Sequence, residues 1–309
     1  MKILFFGTPQ YVVPILEALH KQYNKGRDRE LIGVVTQPPM PVGRTKQLQY
    51  SEVDHFAHKH KIDIYHSTDD LPDADLGVCA AYGKIIPQHV IQRFTHGILN
   101  VHPSLLPKYR GASPIQSAIA MGDTEIGVTV IKMDELMDHG PIVSAFKDII
   151  SEEDTNETVR ARLFEETAPF LISLIPSYLA GKIQLKPQDE ENVLVTKIIT
   201  RDNGYVPAKV LYALINGEEY EESISIDFIR NLRIIPEAEL ICNLVRALSP
   251  WPGIWTTIKT APESKEKRLK ILSVSREDKI LKLERVQLEG KNPVTWEQFT
   301  QGYPEASFK

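Results

Sequence analysis

Short apolar runs alternate with amphipathic stretches through the first half of the chain. Lys2–Phe6, Leu31–Thr36, Leu76–Ala81, the residues Gly97–Leu99 running into Asn100, and Val128–Met133 each have the length of a strand. A run with no polar alternate position suits a strand covered on both faces. Tyr11–His20 places Val12, Ile15, Leu16 and Leu19 at helical spacing. Val53–His60, Pro87–Phe94 and the stretch from Ile115 to Met121 also read as helices. Thr155–Leu179 predicts a long helix with Asp154 or Thr155 as its N-cap. Strand and helix in alternation predict an α/β fold with a Rossmann-like, mostly parallel sheet.

The texture changes after Gly181. Lys186–Asn192 is polar and reads as a linker. Ile254–Lys259, Leu269–Val274, Ile280–Leu288 and Val294–Phe299 are short strand-like runs between charged turns, the pattern of a small all-β barrel, OB-like by the family resemblance that the motifs below carry. The boundaries expected are residues 1–186 for the α/β domain, 187–208 for the linker and 209–309 for the β domain. In the second domain, residues 210–237, an insert by that same resemblance, hold Glu218, Glu219, Glu221 and Glu222, which predict a solvated acidic surface.

Composition narrows the class. A length of 309 residues favours two domains, and 42% hydrophobic with 25% charged residues is ordinary for a globular protein. The net charge of −5 leaves only local patches for any nucleic-acid contact. Two cysteines, Cys79 and Cys242, lie far apart without a CxxC spacing, so neither a disulfide scaffold nor a metal site is expected. The opening MKILFFG is too short an apolar run for a signal peptide, and no run approaches membrane-spanning length. A cytoplasmic, monomeric enzyme is the expectation. The first strand ends in Phe6-Gly7-Thr8-Pro9 and not in GxGxxG, which argues against a bound nicotinamide dinucleotide.

The densest chemistry is Asn100-Val101-His102-Pro103-Ser104-Leu105-Leu106-Pro107, continuing Lys108-Tyr109-Arg110-Gly111-Ala112-Ser113-Pro114-Ile115-Gln116. Residues two apart on a strand share a face, so Asn100 and His102 can converge on one ligand atom at the carboxyl end of the sheet. A second stretch, Met133-Asp134-Glu135-Leu136-Met137-Asp138-His139-Gly140-Pro141, follows another strand. A third is Thr36-Gln37-Pro38-Pro39-Met40-Pro41-Val42-Gly43-Arg44. No serine or cysteine nucleophile motif accompanies them.

Together these strings resemble the formyltetrahydrofolate-dependent formyltransferases, which carry N-x-H followed by S-L-L-P-x-x-R-G. The continuation Gly-Ala-Ser-Pro-Ile-Gln is most similar to members acting on methionyl-tRNA. The resemblance implies transfer of a formyl group from 10-formyltetrahydrofolate to the amino group of initiator methionyl-tRNA, by direct amine attack through a tetrahedral intermediate and without a metal. It implies Asn100, His102 and Asp138 as catalytic groups, with His139 where the family usually has threonine. Ser104, Leu105, Leu106 and Pro107, with Ala81, Tyr82, Gly83 and Ile85, match its folate-side loops. Arg44, supported by Lys46, matches its loop over the acceptor end of the tRNA. Two alternatives stay open: a formyltransferase or formyl-folate hydrolase for a small amine such as an amino sugar, and an RNA-binding relative without catalysis.

Overall fold

The computed structural model describes residues 1–25, 29–42 and 47–308. The chain divides into two compact units: Met1–Arg110, Ile126–Asp148 and Arg160–Val193 form one, and Gly111–Glu125, Ile149–Val159 and the chain from Leu194 onward form the other.

The first unit is built on a seven-stranded sheet. Its strands are β1 (Ile3–Gly7), β2 (Leu31–Val35), β3 (Asp63–Tyr65), β4 (Leu76–Ala80), β5 (Ile98–His102), β6 (Glu125–Lys132) and β7 (Ile142–Ile149). Their order is β7-β6-β5-β4-β1-β2-β3. Pairings β1–β2, β1–β4, β2–β3 and β4–β5 are parallel, and β5–β6 is antiparallel. The mostly parallel sheet expected from the strand–helix alternation is therefore present. The apolar runs explain it: β1 and β4 are buried at every position, as strands covered on both faces must be. Helices α1 (Val13–Tyr23) and α2 (Glu52–His60) supply part of that cover, and Ser51 caps α2 through a reciprocal bond with Asp54. Phe6 packs edge-on against Tyr82 and Phe94, with ring centroids 5.8 and 5.9 Å apart. Burying each such ring contributes about 1.5–3 kcal/mol.

Strand β7, with isoleucine, valine and phenylalanine interrupted by Ser144, Lys147 and Asp148, carries no clean period and is absent from the sequence reading. It forms the sheet edge beside β6, where its outward positions tolerate charge. The connection from β1 over to β2 and β3 and back to β4 puts the reversal of strand order between β1 and β4, and ligands of open α/β sheets gather at the carboxyl ends of strands near such a reversal.

The long helix α3 (Asn156–Leu179) starts where expected: the Thr155 hydroxyl accepts from the Thr158 amide at 3.3 Å. In the second unit, α4 (Ala208–Ile215) and a short ladder, Ile224–Ser225 with Arg233–Ile234, fill the insert near 210–237. Helix α5 (Ala238–Ala247) packs on Pro114–Ala120. A separate antiparallel sheet follows, of β8 (Ile254–Ile258), β9 (Lys267–Glu277), β10 (Ile280–Leu288) and β11 (Val294–Thr295). The run Val294–Phe299, expected as a strand, stops being one at Thr295. Thr295 and Gln298 form a capping box that starts α6 (Trp296–Gly302), and this Thr-x-x-Gln signature overrides the apolar pattern. No described helix is long and apolar enough to cross a membrane.

Candidate active site

Strand β5 carries Asn100 and His102 to the carboxyl end of the sheet on one face, with Ile98. His102 is 4% exposed. Its Nε2 donates to the Tyr109 carbonyl at 2.9 Å. A carbonyl oxygen only accepts, so Nε2 must carry hydrogen and Nδ1 is left as the ring atom that exchanges a proton. Nδ1 lies 3.5 Å from Asp138 Oδ1. The same carboxylate oxygen accepts from Asn100 Nδ2 at 3.2 Å. Three side chains from two distant segments thus meet on one oxygen, and one amide hydrogen of Asn100 remains for another acceptor.

The backbone at this place is held in a sparsely populated region. Six described non-glycine residues have positive φ, and three of them are Ala81 (+46°), Tyr109 (+63°) and Asp138 (+52°), in the loops bordering the site. Each costs on the order of 1–3 kcal/mol and persists only where the surroundings enforce it, and such residues cluster at functional sites. Around Asp138 the enforcing contacts are visible. Gln188 Nε2 donates to the carbonyls of Asp138 and Gly140 at 2.8 and 2.9 Å, on either side of His139. Gln188 Oε1 accepts from Arg110 Nε at 2.9 Å. The Arg110 fork grips Glu190 at 2.6 and 3.1 Å, and this guanidinium holds the Glu190 carboxyl below the usual carboxylate range. His139 Nδ1 sits 2.6 Å from Asp134 and its Nε2 3.6 Å from Glu190.

Gly140 closes the same loop where no side chain fits. A Cβ there would lie 1.9 Å from the Lys132 carbonyl oxygen, a backbone atom fixed by the adjacent Lys132–Pro141 hydrogen bond. We expect Gly140→Ala to lower the denaturant midpoint by an amount worth roughly 1–3 kcal/mol, as overpacking does. An unchanged midpoint would mean the loop yields freely.

On the neighbouring strand Cys79 is in register with Asn100. Burial pushes its thiol up to about 12, and the Asp138 carboxylate adds to the rise, so it offers no thiolate at neutral pH.

The other residues singled out from sequence are distributed as follows. Ser104 and Leu106 are buried, and both hydrogen-bond within the protein. Ser104 Oγ donates to Lys108 O at 2.7 Å, while the Thr129 hydroxyl donates to Ser104 O at 2.7 Å and accepts from the Leu106 amide at 3.1 Å. Leu105 and Pro107 are half-buried. Tyr82 is a core ring, and its carbonyl accepts from Thr8 Oγ1 and Gln37 Nε2, both at 3.1 Å. Gly83, at φ +79°, leaves room for that amide: a Cβ would stand 2.4 Å from Gln37 Nε2. Ile85 is 79% exposed, and Leu136 and Met137 are also exposed beside Asp138. A hydrogen bond from Gln88 to Glu135 at 2.6 Å joins these two loops. Arg44 and Lys46 lie outside the described residues.

Sequence reasoning missed Gln188, Glu190 and the grip of Arg110. Arg110 stood inside the quoted string, so its motif could have flagged it. Gln188 offered no local signal. Among the described residues, no three His, Cys, Asp or Glu side chains are grouped to hold a metal ion.

A family model described as formyl transferase matches residues 1–175, and one described as formyl transferase, C-terminal domain, matches residues 236–279. Methionyl-tRNA formyltransferase of Listeria monocytogenes serotype 4a (strain HCC23) is 36% identical over 271 residues, which is 84% of this chain and 77% of that protein. Among solved structures, an N-formyltransferase from Helicobacter canadensis in complex with folinic acid and dTDP-3-aminofucose has a TM-score of 0.61 at 16% identity, covering 90% of this chain and 89% of its own. Methionyl-tRNA formyltransferase from Clostridium thermocellum has a TM-score of 0.56 at 17% identity, covering 93% and 98%.

Proposed function

The chain belongs to the formyl transferase family, and from that premise we propose that it moves a formyl group from 10-formyltetrahydrofolate to the amino group of methionyl-tRNA. The choice of acceptor is supported by the relatives at 35–36% identity over 84% of the chain, which are named for that reaction. The structural neighbours at 16–17% identity speak only to the fold. The observation that carries the chemistry is the single Asp138 oxygen shared by Asn100 and His102.

Each group then has a physical task. Bound formyl-folate supplies the electrophilic carbon and the amine it leaves. Attack by the methionyl amine builds negative charge on the formyl oxygen, and the remaining Asn100 N–H is the donor for it. A preorganised donor of that kind is worth about 2.7–4 kcal/mol. An α-amino group has a pKa of ~7.7–8.0, and esterification of the neighbouring carboxyl to tRNA lowers it further, so much of it is neutral and nucleophilic at physiological pH. The proton it sheds passes to the pair formed by Asp138 and His102 Nδ1, and from there to the departing nitrogen. Ile85, Leu136 and Met137 present exposed apolar surface on two linked loops, a fit for the flat faces of a folate. Arg44 and Lys46 are assigned to phosphate contacts on the tRNA.

The assay is formyl transfer by the pure protein with 10-formyltetrahydrofolate, comparing methionyl-tRNA with uncharged tRNA and an amino sugar nucleotide. Transfer to methionyl-tRNA alone is expected. Comparable kcat/KM with the amino sugar would overturn the choice of acceptor.

A further inference from the structure

Residues 186–192 look like a linker in sequence, yet one side chain among them reaches into the loop that carries Asp138. Backbone bonds between Ile142 and Lys186, at 2.7 and 2.9 Å, bring the segment alongside the start of β7. Two residues later, the Gln188 amide nitrogen spans the carbonyls of Asp138 and Gly140. Its oxygen meets Arg110 Nε, and Arg110 is anchored in turn by both oxygens of Glu190. The amide is therefore saturated along this edge: two donors to two carbonyls, one acceptor to a guanidinium. Arg110 is 8% exposed and Gln188 half-buried, so solvent has limited access to replace these bonds.

We propose that Gln188 is a positioning residue for Asp138, held in place by Arg110 and Glu190, and that its bonds to the carbonyls of Asp138 and Gly140 keep the carboxylate facing Asn100 and His102. The inference rests on the catalytic role assigned to Asp138 under the proposed function. The reason for such a device is the φ of +52° at Asp138. Aspartate tolerates that region better than most residues, yet such a conformation persists only where the surroundings hold it. Two residues on, Gly140 is already pressed against Lys132, and Lys132 N–H donates to Pro141 O. Gln188 holds the Asp138–His139 peptide itself, through the Asp138 carbonyl. A turn of the Asp138–His139 peptide would swing the carboxylate away from an imidazole now 3.5 Å distant, and an error of about 1 Å in a reacting group can cost on the order of 10²-fold in rate.

The experiment compares Gln188→Leu, which removes the three bonds at similar volume, with Gln188→Asn, which keeps the amide chemistry on a shorter arm. Two readouts are taken on the full chain. The first is steady-state formyl transfer to methionyl-tRNA. For Gln188→Leu, kcat is expected to fall about 10–100-fold with KM for folate and for tRNA within about threefold, and Gln188→Asn is expected to recover at least part of the loss. The second is amide hydrogen exchange across residues 134–141, which needs no substrate. Exchange there is expected to accelerate at least tenfold in Gln188→Leu while β5 stays protected. Unchanged kcat with unchanged exchange overturns the proposal. A loss confined to KM, or faster exchange everywhere, assigns Gln188 a general structural part and also overturns it. Should wild-type protein transfer no formyl group while the local exchange response appears, the restraint stands and the proposed function is what fails.

Discussion

Replacing His102 by alanine lowers kcat for formyl transfer by about 10³-fold, within the range typical of a lost acid–base group. The size follows from the ring's surroundings. His102 is 4% exposed and its Nε2–H is committed to the Tyr109 carbonyl, so all proton traffic falls to Nδ1, which faces Asp138. Few water molecules can take its place. KM for methionyl-tRNA stays within about threefold, because a group acting only on the reacting atoms changes the transition state more than ground-state binding. The substitution also removes the buried hydrogen bond to the Tyr109 carbonyl, so rates are compared well below the variant's unfolding transition. A large rise in KM with kcat intact would move His102 out of the chemistry and into binding.

Asp138→Asn lowers kcat by roughly 10²–10³-fold, again with little change in KM, in the same general acid–base range. Aspartate and asparagine have nearly the same shape, and both tolerate the left-handed backbone seen at φ +52°, so folding stability should move by no more than about 0.5 kcal/mol. The chemistry changes fully, however. A neutral amide cannot take up the methionyl proton: with its oxygen in the shared position it offers His102 Nδ1 no charge, and with its NH₂ there it opposes the Asn100 N–H. Thermal or denaturant unfolding alongside kinetics separates the two effects. Retained activity with an intact fold would show that the carboxylate only shapes the turn.

Sequence and structure agree where the chain's local pattern determines the outcome. The sheet was legible because its inner strands are unbroken apolar runs, and Asn100 and His102 because a strand's period of two puts them on one face. Asp138 was identified by the resemblance; its reach to His102 across a separation of 36 residues is a tertiary fact. Strand β7 was not legible, since an edge strand can mix charge with apolar residues. Helix α6 lies where the apolar pattern predicts a strand, because Thr295 and Gln298 outweigh the apolar residues around them. Gln188 was invisible for a deeper reason. Its bonds connect positions 48, 50 and 78 residues apart, and what aligns them is the backbone pairing of Lys186 with Ile142.

Whether His102 and Asp138 act as one unit is tested most directly by single-turnover formyl transfer to methionyl-tRNA in His102→Ala, Asp138→Asn and the double variant. Groups that work together lose their function once, so the double variant should be within about threefold of the slower single variant. If the two losses multiply instead, the imidazole and the carboxylate act independently, and the shared oxygen at 3.2 and 3.5 Å is proximity without joint chemistry.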